Sequence, residues 1–377
     1  MLDFTSALYL GLLHPSHSLR PWTRLTTGVP AALATPFSRW RLTQTLAELQ
    51  GCEQATLGAS TLHLFWDLFS LLADDGVAIY LDAGTYPIGQ WGVERAAARG
   101  VPVRRFPHHD VRALDRLLQQ DAGRGLRPVV VADGFCPGCD GPAPVVAYLD
   151  SVRTFNGYLI LDDTQALGIL GHTPGLQAPY GTGGGGMLQW SGAGGPEVIT
   201  ISSLAKGFGV PVAVLAGSTA RVQWFEAHSE TQVHCSPPSV AVIHAAERAL
   251  AINQEQGDAL RLHLAGLVRR FRQGLRKAGL STTGKLFPVQ TLTPVSGLDA
   301  RLLYRRLLQH GIRTVLHKAR DNHGPRISFL ITALHRPVTV DKAVDVVRYL
   351  VHGYAKSQPT TAGSLGKLGN LSMGGQR

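Results

Sequence analysis

Two stretches decide how this chain is read: NGYLILDDTQALGILG at residues 156–171 and EVITISSLAKGFGVPVAVLAGS at residues 197–218. Each contains a short, largely apolar run, YLIL and VITI, the pattern of a strand covered on both faces. The first strand ends in two carboxylates, Asp162 and Asp163, and the second runs into the lone amine of Lys206. Working outward, residues 62–72 read as an apolar helix, 77–81 as a short buried strand, 93–99 as a helix and 129–132 as a strand. Strand and helix in alternation predict an α/β fold, a mostly parallel sheet with helices on both faces. In such sheets ligands lie at the carboxyl ends of strands, which is where Asp162 and Lys206 fall.

A lysine amine can hold an aldehyde as a Schiff base and hand it to an incoming amine. A buried carboxylate facing a pyridine nitrogen keeps that nitrogen protonated, so the ring can accept electrons from a substrate carbanion. Lys206 and Asp162 are the catalytic candidates for this pyridoxal 5'-phosphate chemistry. Taken singly, Asp162 reads equally well as a helix cap and Lys206 as a solvated surface residue.

The flanking residues carry a resemblance. LDDTQALGILG resembles the α-oxoamine synthase signature DDAHGTGVLG, and SSLAKGFGVPVAVLAGS resembles that family's lysine segment TFSKGFGVSGAAVL. FTSALYLGLLHPS at 4–16 is similar to SNDYLGLxxHP, and RISFLITALHRPVTVDKAVDVV at 326–347 to RLRLTLTAAHxxxDIDxLL. The likeness covers all but the last twenty or so residues. It implies a fold-type I pyridoxal phosphate transferase with a smaller α+β C-terminal domain, working as a homodimer with shared active sites.

The resemblance also implies cofactor contacts. Gly58 to Thr61, just ahead of the helix, is similar to the turn that holds the phosphate, so Ser60 and Thr61 are candidates, although a plain helix cap looks the same. Ser203, three before Lys206, matches a phosphate-binding hydroxyl. QVHCSPPS at 232–239 looks like the segment that completes the phosphate cup from the other subunit, which picks out Ser236, or Cys235 if the register shifts.

Where the family stacks a histidine on the pyridine ring, this chain has Tyr86, which can stack but cannot shuttle a proton near neutral pH. Gln165 stands in place of the histidine of DDAH, and its amide can donate to the cofactor's phenolic oxygen without carrying charge. The substrate clamp departs further. The asparagine before YLGL gives way to Ala7 and Leu8, and the second arginine of RLR to Ser328. Losing a bidentate guanidinium removes the usual means of orienting an α-amino acid. Arg326, two residues earlier on the same side of a predicted strand, is either its substitute or a structural arginine. Leu8, Arg326 and Ser328 are thus the substrate-binding candidates.

Composition narrows the remaining classes. At 377 residues with 44% hydrophobic content, the chain is long enough for two domains and is not predominantly disordered. No apolar run approaches the roughly 20 residues that cross a bilayer, and the start lacks the pattern of a secretion signal, so no membrane association and a cytoplasmic location are expected. The formal charge of +10 favours an anionic partner such as a coenzyme A thioester or an acidic acyl carrier protein. The basic residues are scattered and no recognition motif appears, which speaks against nucleic acid.

Four cysteines are too few to staple a chain of this size. Cys136 and Cys139 have redox or half-zinc spacing, but a second pair and a thioredoxin-like helix are lacking, so they read as part of an ordinary loop, and no metal is expected. GTGGGG at 181–186 satisfies a dinucleotide pattern without the strand and helix that pattern needs, and reads as a surface linker or a lid. The expected organisation is an N-terminal segment (1–40) packed on the small domain, a large cofactor domain (41–238) with a Gly-rich loop (173–196), a small C-terminal domain (239–355) and a disordered tail (356–377).

These readings converge on an acyltransferase that condenses an amino acid or related amine with an acyl thioester, with loss of carbon dioxide. The enzymatic alternative is aminotransfer to a substrate without a conventional α-carboxylate. The alternative of another class, a catalytically silent or regulatory subunit, should lack the lysine or carry a DNA-binding appendage, for which the roughly 40 residues ahead of the large domain leave no room.

Overall fold

The aliphatic run before Asp162 forms a strand whose every residue is buried, Tyr158–Asp162. It is the middle strand of seven. The computed structural model describes residues 1–33, 37–139, 141–318 and 324–357. In chain order the large domain comprises α1 (Phe37–Gln50), β1 (Gln54–Gly58), α2 (Thr61–Leu72), β2 (Val77–Asp82), α3 (Pro87–Ala98), β3 (Val103–Phe106), α4 (Val111–Asp121), β4 (Arg127–Asp133), α5 (Val145–Arg153), β5 (Tyr158–Asp162), α6 (Met187–Ser191), β6 (Val198–Ser203), β7 (Ala213–Gly217), α7 (Thr219–His228) and α8 (Glu230–His234). The strands lie in the order β1, β7, β6, β5, β4, β2, β3. Only β7 runs against the rest, pairing antiparallel with both β1 and β6.

Both faces are covered, and the two-residue period of a strand assigns each side chain to one of them. Val130, Ala132, Leu159 and Leu161 join the core under α1, α4, α5 and the long helix α9 (Val240–Arg276). Val129, Val131 and Ile160 join the opposite core with Phe65 and Phe69 of α2 and Phe225 of α7. Strands buried on both sides have no polar face, which is why their sequences read as continuous apolar runs rather than as alternation.

Beyond α9, four antiparallel strands, β8 (Thr282–Thr283), β9 (Val289–Leu292), β10 (Val315–Lys318) and β11 (Pro325–Leu330), form a second sheet in the order β8, β9, β11, β10. It packs on α9 through Phe271 and Phe329, whose rings lie 4.9 Å apart, and α10 (Ala300–Gln309) and α11 (Pro337–Ser357) complete the layer. The N-terminal segment crosses both domains. Leu2 and Asp3 pair with Ile312 and Arg313, the Leu330 N–H donates to the Phe4 carbonyl at 2.9 Å, and the Ala333 N–H donates to the Tyr9 carbonyl at 2.8 Å. No helix among the described residues is long and apolar enough to cross a membrane.

Three expectations are corrected. The helix expected over 93–99 begins at Pro87, because proline at the first helical position needs no N–H partner and its φ is already helical. The strand expected over 129–132 runs on to Asp133, which brings a further carboxylate to the sheet's carboxyl edge. The stretch 181–186 is no loose linker: Thr182 and Gly185 bridge to His172 and Leu167. The Gly183 N–H donates to Asp258 Oδ1 at 2.9 Å, and its carbonyl accepts from Asn253 Nδ2 at 2.9 Å. These glycines permit backbone contact rather than motion. The expected tail lies outside the described residues beyond Ser357.

Candidate active site

The carboxyl ends of the parallel strands bring the candidates together. Asp133 and Asp162 are directly paired residues of β4 and β5, and Asp162 stands opposite Ile201 of β6, whose chain continues to Lys206. Burial pushes the Lys206 amine below its ordinary pKa, against the pull of the Asp162 and Asp133 carboxylates. Burial raises Asp162 above the usual carboxylate range, opposed by hydrogen bonds from Thr164, whose N–H lies 3.0 Å from Oδ1, and by Lys206. A low-dielectric site thus penalises charge on each partner, while each favours charge on the other.

Tyr86 caps the N-terminus of α3, and its ring centroid lies 5.9 Å from Lys206 Nζ. Its N–H donates to Asp133 Oδ1 at 2.9 Å. Ser203 lies at the end of β6; its N–H donates to Thr164 Oγ1 at 3.0 Å, and its hydroxyl accepts from the Ala205 N–H at 3.2 Å. Ser60 caps α2 and bonds His63 Nδ1 at 2.8 Å, with Thr61 the first helical residue. Gly58 and Ser203 both pair with Ala213 of β7, so Gly58, which leads into α2, and Ser203 flank one strand, two inter-strand spacings or about 10 Å apart. Gln165 accepts a hydrogen bond from the Tyr9 hydroxyl at 2.8 Å.

The remaining candidates are dispersed. Ser236 is exposed on the segment between α8 and α9, with no hydrogen bond to the Lys206 cluster among the described residues. Leu8 lies near Gly209 of the lysine segment. Ser328 is buried in β11, its hydroxyl 2.6 Å from Thr291 Oγ1 and 2.8 Å from His317 Nε2. Arg326 lines a hollow of about 240 Å³ with Thr293, Pro294, Asp299 and Leu303, none of them part of the Lys206 cluster.

Three contributors escape the sequence reading. Asp133 lies one residue past the expected strand. Thr164 looks like a spacer between Asp162 and Gln165 but joins the Asp162 and Ser203 strands. Tyr9 donates its N–H to the Lys206 carbonyl at 3.2 Å, a contact across the whole large domain that no local pattern announces.

Two neighbouring groups have structural work. Asp163 is buried, and its Oδ2 accepts from the Met187 N–H at 2.9 Å at the start of α6, while Oδ1 has no hydrogen-bond partner among the described residues. Burial, aided by Asp162, pushes this carboxyl up to about 8. Asp82, at the end of β2, accepts from the Gly84 N–H, His108 Nδ1, the His109 N–H and the Tyr148 hydroxyl, at 2.6, 2.6, 3.0 and 2.9 Å. Those four bonds hold the loop that carries Tyr86. The ordinary-loop reading of the two nearby thiols is corrected for Cys136, which is buried and disulfide-bonded; Cys52 and Cys235 are free, and the Cys139 side chain lies outside the described residues.

The donor set fits pyridoxal 5'-phosphate. A desolvated amine, a buried carboxylate on the neighbouring strand, an aromatic face beside the amine, and two hydroxyls with a helix N-terminus for a dianion all open on one sheet edge.

The chain is 28% identical over 306 residues to the 8-amino-7-oxononanoate synthase of Alkalilimnicola ehrlichii, covering 80% of this chain and 74% of that one. It is 27% identical over 353 residues to the 8-amino-7-oxononanoate synthase of Marinobacter nauticus, covering 91% and 85%. Among solved structures, the serine palmitoyltransferase of Sphingomonas wittichii superposes with a TM-score of 0.77 at 18% identity over 94% of this chain and 88% of that one. The 8-amino-7-oxononanoate synthase of Francisella tularensis superposes with a TM-score of 0.73 at 14% identity over 94% and 98%. The fold is that of fold-type I pyridoxal phosphate enzymes. Residues 28–346 match the family described as aminotransferase class I and II, and to that family this chain belongs.

Proposed function

We propose that the protein is a pyridoxal phosphate-dependent acyltransferase of the α-oxoamine synthase kind, joining an amino acid or related amine to an acyl thioester. The observation that carries this reading is the placement of Lys206 Nζ beside the Tyr86 ring, at the end of the strand that neighbours Asp162. It is supported by the name 8-amino-7-oxononanoate synthase shared by the relatives in sequence. In the overall reaction a bond forms between the amine's α-carbon and the acyl carbon, the thiol leaves, and the α-carboxylate departs as carbon dioxide.

Bound at this edge, the cofactor supplies an electron sink for the α-carbon. Lys206 would hold its aldehyde and, once displaced by the substrate amine, take the α-proton at Nζ, a role suited to an amine whose pKa burial has lowered. Asp162 would face the ring nitrogen, where a cationic partner returns its raised carboxyl to the ionised form. Tyr86 would cover one ring face, and Ser60, Thr61 and Ser203 would bind the phosphate. With serine at 328, its hydroxyl held by Thr291 and His317, no guanidinium at that position would orient the substrate's carboxylate.

A homodimer completes the reading. Leu62 and Trp66 lie one turn apart on α2, and Arg95 of α3 stacks on Trp66 with its carbon 3.8 Å from the ring centroid, one turn from Trp91. Leu62, Trp66, Tyr86 and Trp91 are exposed in one chain beside the candidate site, and a second copy would cover them.

The test is an assay of purified, cofactor-loaded protein against a panel of amines with coenzyme A and carrier-protein thioesters. Amine-dependent thiol release is the expected result. Carbonyl product released from the amine without any thioester marks aminotransfer and overturns the proposal.

A further inference from the structure

Gln165 occupies a position where the choice of atom matters. Its side-chain amide has a donor end and an acceptor end of nearly equal size, and a half-turn about one bond exchanges them. Only the donor end can serve a phenolic oxygen that carries negative charge. The acceptor end would repel it.

We propose that Tyr9 is a positioning residue that fixes the Gln165 amide with its oxygen turned away, so that Nε2 donates to the phenolic oxygen of the cofactor; this rests on the cofactor reading above. The Tyr9 hydroxyl lies 2.8 Å from Gln165 Oε1 and occupies the acceptor end of the amide. Tyr9 is 1% exposed, and burial holds its phenol above the ordinary tyrosine pKa, so the hydroxyl keeps its proton as a donor.

The tyrosine is itself immobilised from several directions. Its N–H donates to the Lys206 carbonyl at 3.2 Å, and its carbonyl accepts from the Ala333 N–H at 2.8 Å. Its ring packs edge-on against Phe287 with centroids 5.6 Å apart, and Phe287 stacks on Phe135 at 4.2 Å, two residues beyond Asp133. One residue, through its hydroxyl and its main-chain N–H, therefore ties the orientation of Gln165 to the backbone of the lysine that would bear the cofactor.

A donor to the phenolic oxygen stabilises its deprotonated form and lowers the pH at which the bound cofactor's visible absorption titrates. Tyr9→Phe keeps the ring and its packing but loses the hydroxyl, so the titration midpoint should rise by about one pH unit, the scale of one hydrogen bond to a charged group. Gln165→Leu removes the amide outright and should raise the midpoint as well. Adding Tyr9→Phe to Gln165→Leu should then produce no further shift, since the hydroxyl acts only through the amide.

A purely structural role for Tyr9 would lower the melting temperature or cofactor occupancy without moving the midpoint. The inference is overturned if Tyr9→Phe leaves the midpoint in place, or moves it equally with and without the amide. Gln165→Leu decides the matter even if Tyr9→Phe does not fold: an unchanged midpoint there removes any role for the amide orientation. A wild-type protein without a titrating band overturns the cofactor reading and this inference together, whereas a band indifferent to both residues overturns the inference alone.

Discussion

A methyl group added at Gly186 would overlap Oδ2 of Asp163, the carboxylate that caps α6 and directly follows Asp162. The glycine also adopts a left-handed φ of +89°. Packing there and at Gly171, where a Cβ would overlap the Thr182 carbonyl, brings the Gly-rich stretch under the carboxyl end of β5.

Gly186→Ala should therefore destabilise the protein by about 3 kcal/mol or more, combining the left-handed penalty with overpacking. Gly183, at φ +80° with open space where its Cβ would lie, is the control. Gly183→Ala should cost about 1–2 kcal/mol. Thermal or denaturant unfolding of the two variants checks the difference, and equal losses would remove the claim of close packing against Asp163.

Asp163 should make stability depend on pH. Its folded pKa is about 8 against an ordinary value of 3.8, so between those values the folded chain holds a proton that the unfolded chain has released. Stability must then fall as pH rises through that window, by up to about 1.4 kcal/mol per pH unit. Asp163→Asn keeps an acceptor for the Met187 N–H and carries no titrating proton. Its melting temperature should gain on wild type steadily from pH 5 to pH 8, and a constant difference would contradict the assignment.

Asp162→Asn should lower kcat by about 100-fold or more with a smaller change in KM, because the lost charge acts on the developing carbanion rather than on substrate binding. Steady-state kinetics of thiol release measure both parameters. A change confined to KM would move Asp162 out of the catalytic machinery.

The exposed aromatic surface gives an oligomer prediction. Trp66→Glu combined with Trp91→Glu places charge on the apolar patch and should convert the proposed dimer to monomer in sedimentation velocity, with little loss of secondary structure. A dimer that persists would place the interface elsewhere.

How far the sequence was legible follows the range of the interactions. The strands ending at Asp162 and Ser203 are buried, so their apolar runs stand out, and Lys206 is the lone lysine into which the second of them runs. Ser60 was legible because a helix start has a local signature. Asp133 lay one residue past the apparent end of its strand. Tyr9 reads from sequence as one aromatic in an apolar segment, and its bonds to Lys206 and Gln165 span the chain. The glycines of 181–186 misled for a related reason. Glycine marks both mobile linkers and backbone packed too tightly for a side chain, and only the distant partners Asp163, Asn253 and Asp258 distinguish them.

Borohydride reduction of the cofactor-loaded protein, followed by peptide mass spectrometry, tests the central claim most directly. The account predicts a phosphopyridoxyl group on the peptide containing Lys206, absent from a Lys206→Ala variant. An unmodified Lys206, or the same label retained by that variant at another lysine, would contradict it.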